Sequence, residues 1–346
     1  MDISTAKVNI RNKIIHLNID ELLISPYNKR YFKRYQQHLD YYLDSYAYLL
    51  SNAISKLDKP VSSAVFLDYG GGCGLLSYFA IELGFKNVIY NDVYDVSIAD
   101  VKVISRHLQL HIDKFIWGDI HQVTKSLNQS KIYPDLICSF DVLEHIYDIN
   151  NWFLQLKEFN HPFQLFFKTS ANGKNPLVNR HLKKMQRIDE LHGVEKQEGW
   201  KERDLNSSFL SERKKIIRNN FEQLTDGEVS RLSVLTRGLN EEDIKKEILY
   251  YITNGTFRYK INHSTNTCDP YTGNWTEKII DTKSLSEYLR SLGFECNVTN
   301  SLYPYSHKKF LNIIKYLLNT VIKLTGKDKL FFSPSYTLEV ENKSDR

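Results

Sequence analysis

The chain has 346 residues, a formal charge of +5, and 42% hydrophobic and 25% charged residues, which is typical of a globular protein with one large domain or two moderate ones. No run of about 18 uninterrupted apolar residues occurs, so we expect no transmembrane segment. The four cysteines are far apart and form no C-x-x-C pair, which argues against structural zinc, an iron–sulfur cluster or a disulfide framework and favours a reducing, cytoplasmic location.

Residues 1–62 precede the first predicted strand. The segment from Tyr31 to Ile54 is rich in aromatic residues and has the apolar spacing of a helix, and Pro60 breaks the pattern. We therefore predict an N-terminal helical region over 1–62, which either covers a ligand site or packs against the rest of the fold.

A glycine-rich turn follows the first buried strand. The strand pattern that starts at Val65 ends in D-x-G-x-G-x-G, formed by Asp68, Gly70, Gly72 and Gly74, and a helical pattern comes next. Glycine is needed where the backbone takes a positive φ or approaches a ligand closely, and a helix start offers unpaired N–H groups. The sequence therefore predicts a nucleotide-like cofactor on this turn; a tight turn without a ligand is the alternative.

The glycine spacing argues against a dinucleotide. A dinucleotide fold has the pattern G-x-G-x-x-G, and its third glycine, counted from Gly70, would fall on Leu75. An NAD-dependent oxidoreductase is therefore the weaker alternative.

Acidic residues follow the next two predicted strands. Asp92, with Val93 beside it, ends the strand pattern that begins at Asn87, and Asp119 with Ile120 follows the third strand. In a βαβ unit the carboxyl end of the second strand faces the ligand crevice. Asp92 can there accept from both hydroxyls of a ribose, at roughly 1.5–3 kcal/mol for each charge-assisted hydrogen bond. A solvated loop aspartate is the alternative.

A fourth buried strand runs from Asp135 to about Phe140 and leads into the motif D-x-L-E-H, residues 141–145. A fifth strand over 163–172 ends in small polar residues. The alternation of strands and helices predicts an α/β fold with a doubly wound sheet and a ligand crevice beside the first strand.

This ordered series resembles the class I S-adenosylmethionine (SAM)-dependent methyltransferases. The glycine turn resembles their first motif, and residues 141–145 resemble the fourth motif of small-molecule methyltransferases of the ubiquinone-biosynthesis type. The resemblance covers about 65–169 and, more loosely, 281–341. It implies a Rossmann-like, seven-stranded sheet whose last strand is antiparallel, SAM as the cofactor, and methyl transfer to an O, N or C nucleophile.

The resemblance also implies roles for individual residues. In the family the acid of the first motif lies near the amino group of the cofactor, the next acid binds the ribose, and the third accepts from the adenine amine. The cofactor-binding residues assigned in this way are Asp68, Gly70, Gly72, Gly74, Asp92, Val93, Asp119, Ile120 and Asp141.

A general base helps catalysis if the acceptor is a hydroxyl. His145 is the first candidate and His181 the second, with a structural histidine as the alternative reading of His145. Methyltransferases that modify amines of nucleic-acid bases carry an Asn/Asp-Pro-Pro-aromatic motif at this position, which holds the flipped nucleobase. This motif is absent here, so we expect a small-molecule acceptor and no specific binding of nucleic acid. We also expect no catalytic metal. A SAM-binding scaffold without activity is a further alternative.

The domain organisation follows from a change of pattern after the fifth strand. We predict a SAM-binding core over 63–172, an inserted helical cap over 173–280 that shapes the acceptor pocket, and a C-terminal part of the core over 281–346. In this last part, Ser284 and Glu287 suggest a capping box at the start of a helix.

Between Lys174 and Arg218 there are twelve Lys/Arg and seven Asp/Glu. This excess favours an anionic or lipid-linked acceptor, whereas solvated helix faces are the plainer interpretation.

A helical pattern over 310–326 is apolar around most of its girth. Its one polar stripe is formed by Asn312, Lys315, Asn319 and Lys323. We expect this helix to pack over the pocket, to join a homodimer, or to make peripheral contact with a membrane.

Overall fold

A computed structural model describes residues 2–159, 161–195, 200, 201, 204, 206–304, 309–325 and 330–343. Within these residues the α-helices are α1 (Ile3–His16), α2 (Pro26–Gln37), α3 (Leu39–Ile54), α4 (Leu75–Leu83), α5 (Asp95–His107), α6 (Ile120–Ser130), α7 (Ile149–Leu156), α8 (Pro176–Leu191), α9 (Phe209–Asn220), α10 (Asp226–Leu235), α11 (Glu241–Asn254), α12 (Thr282–Ser291) and α13 (Lys309–Thr325). The β-strands are β1 (Val65–Tyr69), β2 (Asn87–Asp92), β3 (Lys114–Trp117), β4 (Leu136–Phe140), β5 (Phe163–Thr169), β6 (Glu295–Asn300) and β7 (Tyr336–Asn342).

The strands form one seven-stranded sheet in the order β3-β2-β1-β4-β5-β7-β6. Strands β1 to β5 run parallel, whereas β7 lies antiparallel to both β5 and β6. The strand order reverses between β1 and β4, which places the crevice of a doubly wound sheet at the carboxyl end of β1. The predicted Rossmann-like sheet with an antiparallel last strand is therefore confirmed.

The chain divides into two compact units. The first contains the residues up to Leu143, together with Ile149–Ser170 and the residues from Asp281 onward, and the second contains Glu144–Asp148 and Ala171–Ile280. All seven strands belong to the first unit, and helices α8 to α11 belong to the second.

The N-terminal helices are part of the core of the first unit. Ala6, Ile10 and Ile14 recur at every fourth position of α1 and are fully buried, as expected for the apolar stripe of a packed helix. They belong to the same hydrophobic cluster as Phe66 of β1 and Phe79 of α4. Residues 1–62 are therefore integral to this unit.

The start of α12 differs from the sequence prediction. The helix begins at Thr282, and the side chain of Asp281 accepts hydrogen bonds from the backbone N–H groups of Lys283 and Ser284. The predicted capping box of Ser284 and Glu287 is wrong because Asp281, three residues earlier, supplies the cap oxygen.

The core of the second unit holds a buried ion pair. Arg213 of α9 is fully buried, and its guanidinium donates to both carboxylate oxygens of Glu190 of α8, at 2.5 and 3.1 Å. Its Nε donates to the backbone oxygen of Ser233, and the Thr267 hydroxyl donates to Glu190. These bonds tie α8, α9, α10 and the loop after α11 into one body.

Among the described helices, none combines the length and the apolar character that crossing a bilayer requires.

Candidate functional site

The glycine turn between β1 and α4 has a strained backbone that only glycine adopts easily. Gly70, Gly72 and Gly74 have φ values of +70°, +54° and +81°, which lie in the left-handed region where a Cβ is unfavourable. Space is also short, since a Cβ on Gly70 would lie 2.7 Å from Cγ2 of Val142. The glycines predicted from the sequence therefore sit where the backbone needs them.

Asp68 is held by the start of α4. Its side chain is buried, and Oδ2 accepts from the backbone N–H and the hydroxyl of Ser77, at 3.0 and 2.6 Å. Burial raises the pKa of this carboxyl to about 7, against the lowering effect of the Ser77 bonds. Asp68 thus satisfies an otherwise unpaired N–H group of the helix, and its contact with a cofactor stays a prediction.

Asp92 links the end of β2 to the glycine turn. One carboxylate oxygen accepts from the Gly72 N–H at 3.0 Å and the other from the Tyr94 N–H at 2.8 Å. A carboxylate only accepts hydrogen bonds, so the two N–H groups are both satisfied by Asp92, which joins the end of β2 to the turn. The structure therefore brings the two strongest predicted features, the turn and the ribose acid, into direct contact.

The ends of β2 and β3 present exposed apolar surface. Val93 is 48% exposed and Trp117 is 63% exposed, and the indole N–H of Trp117 donates to the backbone oxygen of Val93. Asp119 caps α6, with Oδ1 accepting from the His121 N–H, while Ile120 is buried. Of the residues named here, Trp117 is the one that sequence reasoning missed.

A face of tyrosines on α2 approaches the same turn. Tyr27, Tyr31 and Tyr35 follow one another at every fourth position of this helix. The Tyr35 hydroxyl lies 3.9 Å from the point where a Cβ of Gly72 would be, and the Tyr27 and Tyr94 rings meet edge to face at 5.3 Å. The four-residue spacing is the sequence signal that would have identified this face.

Asp141 follows β4 in a left-handed conformation, with φ of +55°. Its N–H donates to the backbone oxygen of Lys168, and its Oδ1 accepts from the Ser170 N–H. Lys168 is buried, with Nζ lying 4.6 Å from the centre of the Phe140 ring. Burial lowers the pKa of this amine to about 8, and the Asp141 charge opposes the shift. No pattern in the sequence predicts that this lysine is buried.

In the second unit, His145 is oriented by a backbone carbonyl. Its Nδ1 lies 2.8 Å from the carbonyl oxygen of Trp275, and its Nε2 lies 3.9 Å from Oε1 of Glu277. Because a carbonyl only accepts, Nδ1 carries the proton in the neutral ring and Nε2 is left as the basic atom. Glu144 is the third member of the group, and one ligand atom from each residue lies within 4.8 Å of the others. This set, which the sequence did not indicate, has donor types that can hold a divalent cation.

The two predicted histidines line different cavities of the second unit. His145 lines a cavity of about 360 Å³ together with Asp189, Asp269, Trp275 and Glu277. His181 is exposed on α8 and lines a groove of about 950 Å³ whose charged side chains are all cationic, namely Lys174, Arg180, Lys183, Lys184 and Arg187. Within the described part of the chain none of these five cations forms an ion pair. The structure therefore separates the two histidines.

No family model and no curated protein matches this chain. The fold is similar to that of several solved structures. One is a SAM-dependent methyltransferase from Archaeoglobus fulgidus, 11% identical, with 85% of this chain and 91% of that chain covered and a TM-score of 0.35. Another is the plantazolicin methyltransferase BpumL in complex with SAH, at 12% identity, 99% and 98% coverage, and a TM-score of 0.40.

A third is a SAM-dependent methyltransferase from Mesorhizobium loti, at 10% identity, 85% and 98% coverage, and a TM-score of 0.39. These structural neighbours are SAM-dependent methyltransferases. At 10–12% identity these structures are similar to this chain in fold alone. The strand order described above defines that fold.

Proposed function

We propose that this protein is a SAM-dependent methyltransferase whose acceptor is a small molecule with negative charge. The observation that carries the proposal is the contact between the Asp92 carboxylate and the N–H of Gly72 at the switch point of the sheet. A left-handed glycine turn tied to an acid at the end of the neighbouring strand suits a nucleoside ligand with two ribose hydroxyls.

Each predicted residue of the first unit has a role in this proposal. The turn from Gly70 to Gly74 would hold the methionine and ribose portions of SAM, and Asp92 the ribose hydroxyls. Asp119 and Ile120 would contact the adenine, with the exposed Trp117 indole as an additional stacking surface. Asp68 would lie near the amino group of SAM, and Val93 and Asp141 would contact the cofactor beside Asp92 and at the end of β4.

The topology of the sheet supports SAM over a dinucleotide. The usual dinucleotide fold has the parallel order 3-2-1-4-5-6 and the third glycine of its fingerprint. Here β7 lies antiparallel between β5 and β6, and Leu75 stands in place of that glycine. Both departures disfavour an NAD-dependent oxidoreductase.

Calorimetry with SAM and with NAD tests the cofactor directly. We expect SAM to bind and NAD not to bind, and Asp92→Asn to weaken SAM binding by roughly 10- to 100-fold, since it removes a charged acceptor worth about 1.5–3 kcal/mol. Asp20→Asn is the matched control, because Asp20 is an exposed acid that pairs with Lys33 on the surface. NAD binding in the absence of SAM binding would contradict the proposal.

The basic groove of the second unit supports an anionic acceptor. Arg180, Lys183, Lys184 and Arg187 lie three or four positions apart on α8, so they share one face of the helix. Cations around a groove raise the local concentration of anions and offer charge-assisted bonds to phosphate or carboxylate groups. An acceptor with a phosphate, carboxylate or nucleotide-sugar group fits this chemistry.

Bound SAM supplies a methyl group that its sulfonium makes electrophilic, and the chain's own residues position the acceptor and exclude water. For a hydroxyl acceptor we propose His145 as the general base. Its Nδ1–H bond to Trp275 leaves Nε2 able to take the proton, and the Glu277 carboxylate stabilises the imidazolium that forms.

Turnover of the His145→Ala variant tests the base. We expect a loss of roughly 10²- to 10⁴-fold in turnover, with SAM affinity unchanged. His107→Ala is the matched control and should keep its turnover, because His107 is an exposed histidine at the C-terminal end of α5 in the first unit. If a chelator abolishes turnover of the wild-type chain and Mn²⁺ restores it, the group of Glu144, His145 and Glu277 holds a cation, and His145 is not the base.

A further inference from the structure

Helix α13 of the first unit has an unusual orientation. Its large apolar side chains face outward, with exposures between 41% and 82% for Phe310, Leu311, Ile313, Ile314, Tyr316, Leu317 and Leu324. A surface helix of a globular protein normally buries its apolar stripe and exposes its polar one. So large an apolar surface on one helix indicates an interaction site.

Two residues of the polar stripe of α13, Lys315 and Asn319, bond to the protein and fix this orientation. Asn319 is buried, its Oδ1 accepts from the Tyr303 N–H at 2.7 Å, and its Nδ2 donates to the Tyr303 carbonyl oxygen at 2.9 Å. The ammonium of Lys315 donates to the carbonyl oxygen of Pro304 at 2.8 Å. Ile322 on the same side is also buried. Turning the apolar face inward would break all three hydrogen bonds.

The charge around this helix selects the kind of partner. Residues 308–329 contain six lysines and one aspartate, a strong positive excess. Two copies of such a segment repel each other, which disfavours a dimer through this face. A basic helix with a wide apolar face is suited to bind in the interface of an anionic membrane. There its apolar side chains insert among the acyl chains, and the anionic lipid headgroups attract the lysines.

We propose that α13 binds the surface of an anionic lipid bilayer and lies in its plane. Its 17 residues measure about 25 Å along the axis at 1.5 Å per residue, which suits a helix lying along the interface. Phe310, Ile313, Ile314, Leu317 and Leu324 insert among the acyl chains, while the three bonds to Tyr303 and Pro304 keep the helix on the protein. This places the first unit at a membrane independently of the reaction it catalyses.

Co-sedimentation with vesicles tests the proposal. We expect the full chain to bind vesicles of phosphatidylcholine with 30% phosphatidylglycerol at least 10-fold more tightly than vesicles of phosphatidylcholine alone. Binding should weaken when the salt concentration rises from 50 to 500 mM, because salt screens the lysines. Equal binding to both vesicle types, or binding to neither, would overturn the proposal.

A double variant, Ile313→Asp with Leu317→Asp, should lose binding by at least 10-fold. Both side chains are exposed, so SAM binding and the circular dichroism spectrum should stay unchanged. Leu249→Asp is the matched control, since Leu249 is an exposed leucine of α11 in the second unit. If the chain is instead a dimer in sedimentation velocity and the double variant dissociates it without changing vesicle binding, a second copy covers this face and the membrane proposal is wrong.

Discussion

The glycine turn of the first unit and the loop over 265–279 of the second unit are both irregular segments that carry proposed functional residues. The turn is held by residues close to it in sequence, since Asp68 accepts from the N–H of Ser77, nine residues later, and Asp92 accepts from the N–H of Gly72, 20 residues earlier. Its geometry therefore follows from a short pattern of acids and glycines after two strands.

The 265–279 loop depends on residues far away in the chain. Gln186 of α8 is fully buried, its Nε2 donates to the backbone oxygen of Glu277, 91 residues later, and its Oε1 accepts from the Thr265 hydroxyl. Glu190, one turn further along α8, binds both Thr267 and Arg213. A cofactor turn can thus be recognised from a local motif, whereas the loop that positions Glu277 exists only in the folded unit.

Removing the buried guanidinium of Arg213 should destabilise the second unit and leave the glycine turn of the first unit unchanged. Arg213→Met leaves the Glu190 carboxylate without its guanidinium, and loss of one partner of a buried pair costs about 3–5 kcal/mol. We expect faster hydrogen exchange over 209–254, with SAM affinity kept within about twofold. Adding Glu190→Gln should recover part of the loss, since no unpaired buried charge then remains. An Arg213→Met protein with unchanged exchange would show that the pair does not hold this unit together.

Two glycine substitutions sharpen the contrast within the first unit. Gly74 and Gly84 have nearly the same backbone conformation, with φ of +81° and +84°. A Cβ on Gly74 would lie 2.9 Å from the Tyr78 ring, whereas a Cβ on Gly84 has no atom within 4 Å. Gly84→Ala should therefore cost only the strain, about 1–2 kcal/mol, and Gly74→Ala roughly 2–4 kcal/mol because crowding is added.

Denaturant unfolding gives both free energies, and calorimetry adds the functional comparison. Gly74→Ala should also weaken SAM binding at least 10-fold, while Gly84→Ala should leave it unchanged. If the two variants lost the same free energy of unfolding and the same SAM affinity, the strain of a positive φ would be the only cost of a Cβ at Gly74. The turn would then not be a ligand site.

The fold, and the positions of the glycine turn and the acids of the candidate site at strand ends, were predictable from the sequence for a physical reason. Strand periodicity and the rule that ligand-binding residues follow parallel strands are local patterns, so Asp92, Asp119 and the glycines could be located without coordinates. Trp117 and Lys168 carry no such pattern, because a tryptophan or lysine at a strand end is exposed or buried according to its tertiary neighbours.

The orientation of side chains was beyond sequence reasoning in two further places. The polar stripe of α13 was visible, but that Asn319 and Lys315 turn it toward the protein depends on backbone groups of Tyr303 and Pro304. Likewise His145 is oriented by the carbonyl of Trp275, 130 residues away. Contacts over such distances leave no periodicity in a single sequence.

The buried acid of the turn should give a smaller, pH-dependent effect. The pKa of Asp68 is about 7 in the folded chain and about 4 when exposed. Between these values the folded state holds a proton that the unfolded state releases, so the free energy of unfolding falls as the pH rises, by up to about 1.4 kcal/mol per pH unit. Above pH 7 both states are ionised and the effect levels off.

Asp68→Asn removes this titration but keeps an oxygen that accepts from Ser77. Denaturant unfolding of wild type and variant at pH 5, 6, 7 and 8 should therefore show the variant gaining stability relative to wild type from pH 5 to 7, with little further change at pH 8. Asp20→Asn is again the control and should run parallel to wild type. Parallel curves for Asp68→Asn as well would mean that the carboxylate is ionised throughout, and the turn would then hold a buried negative charge that bound SAM, as a cation, has to neutralise.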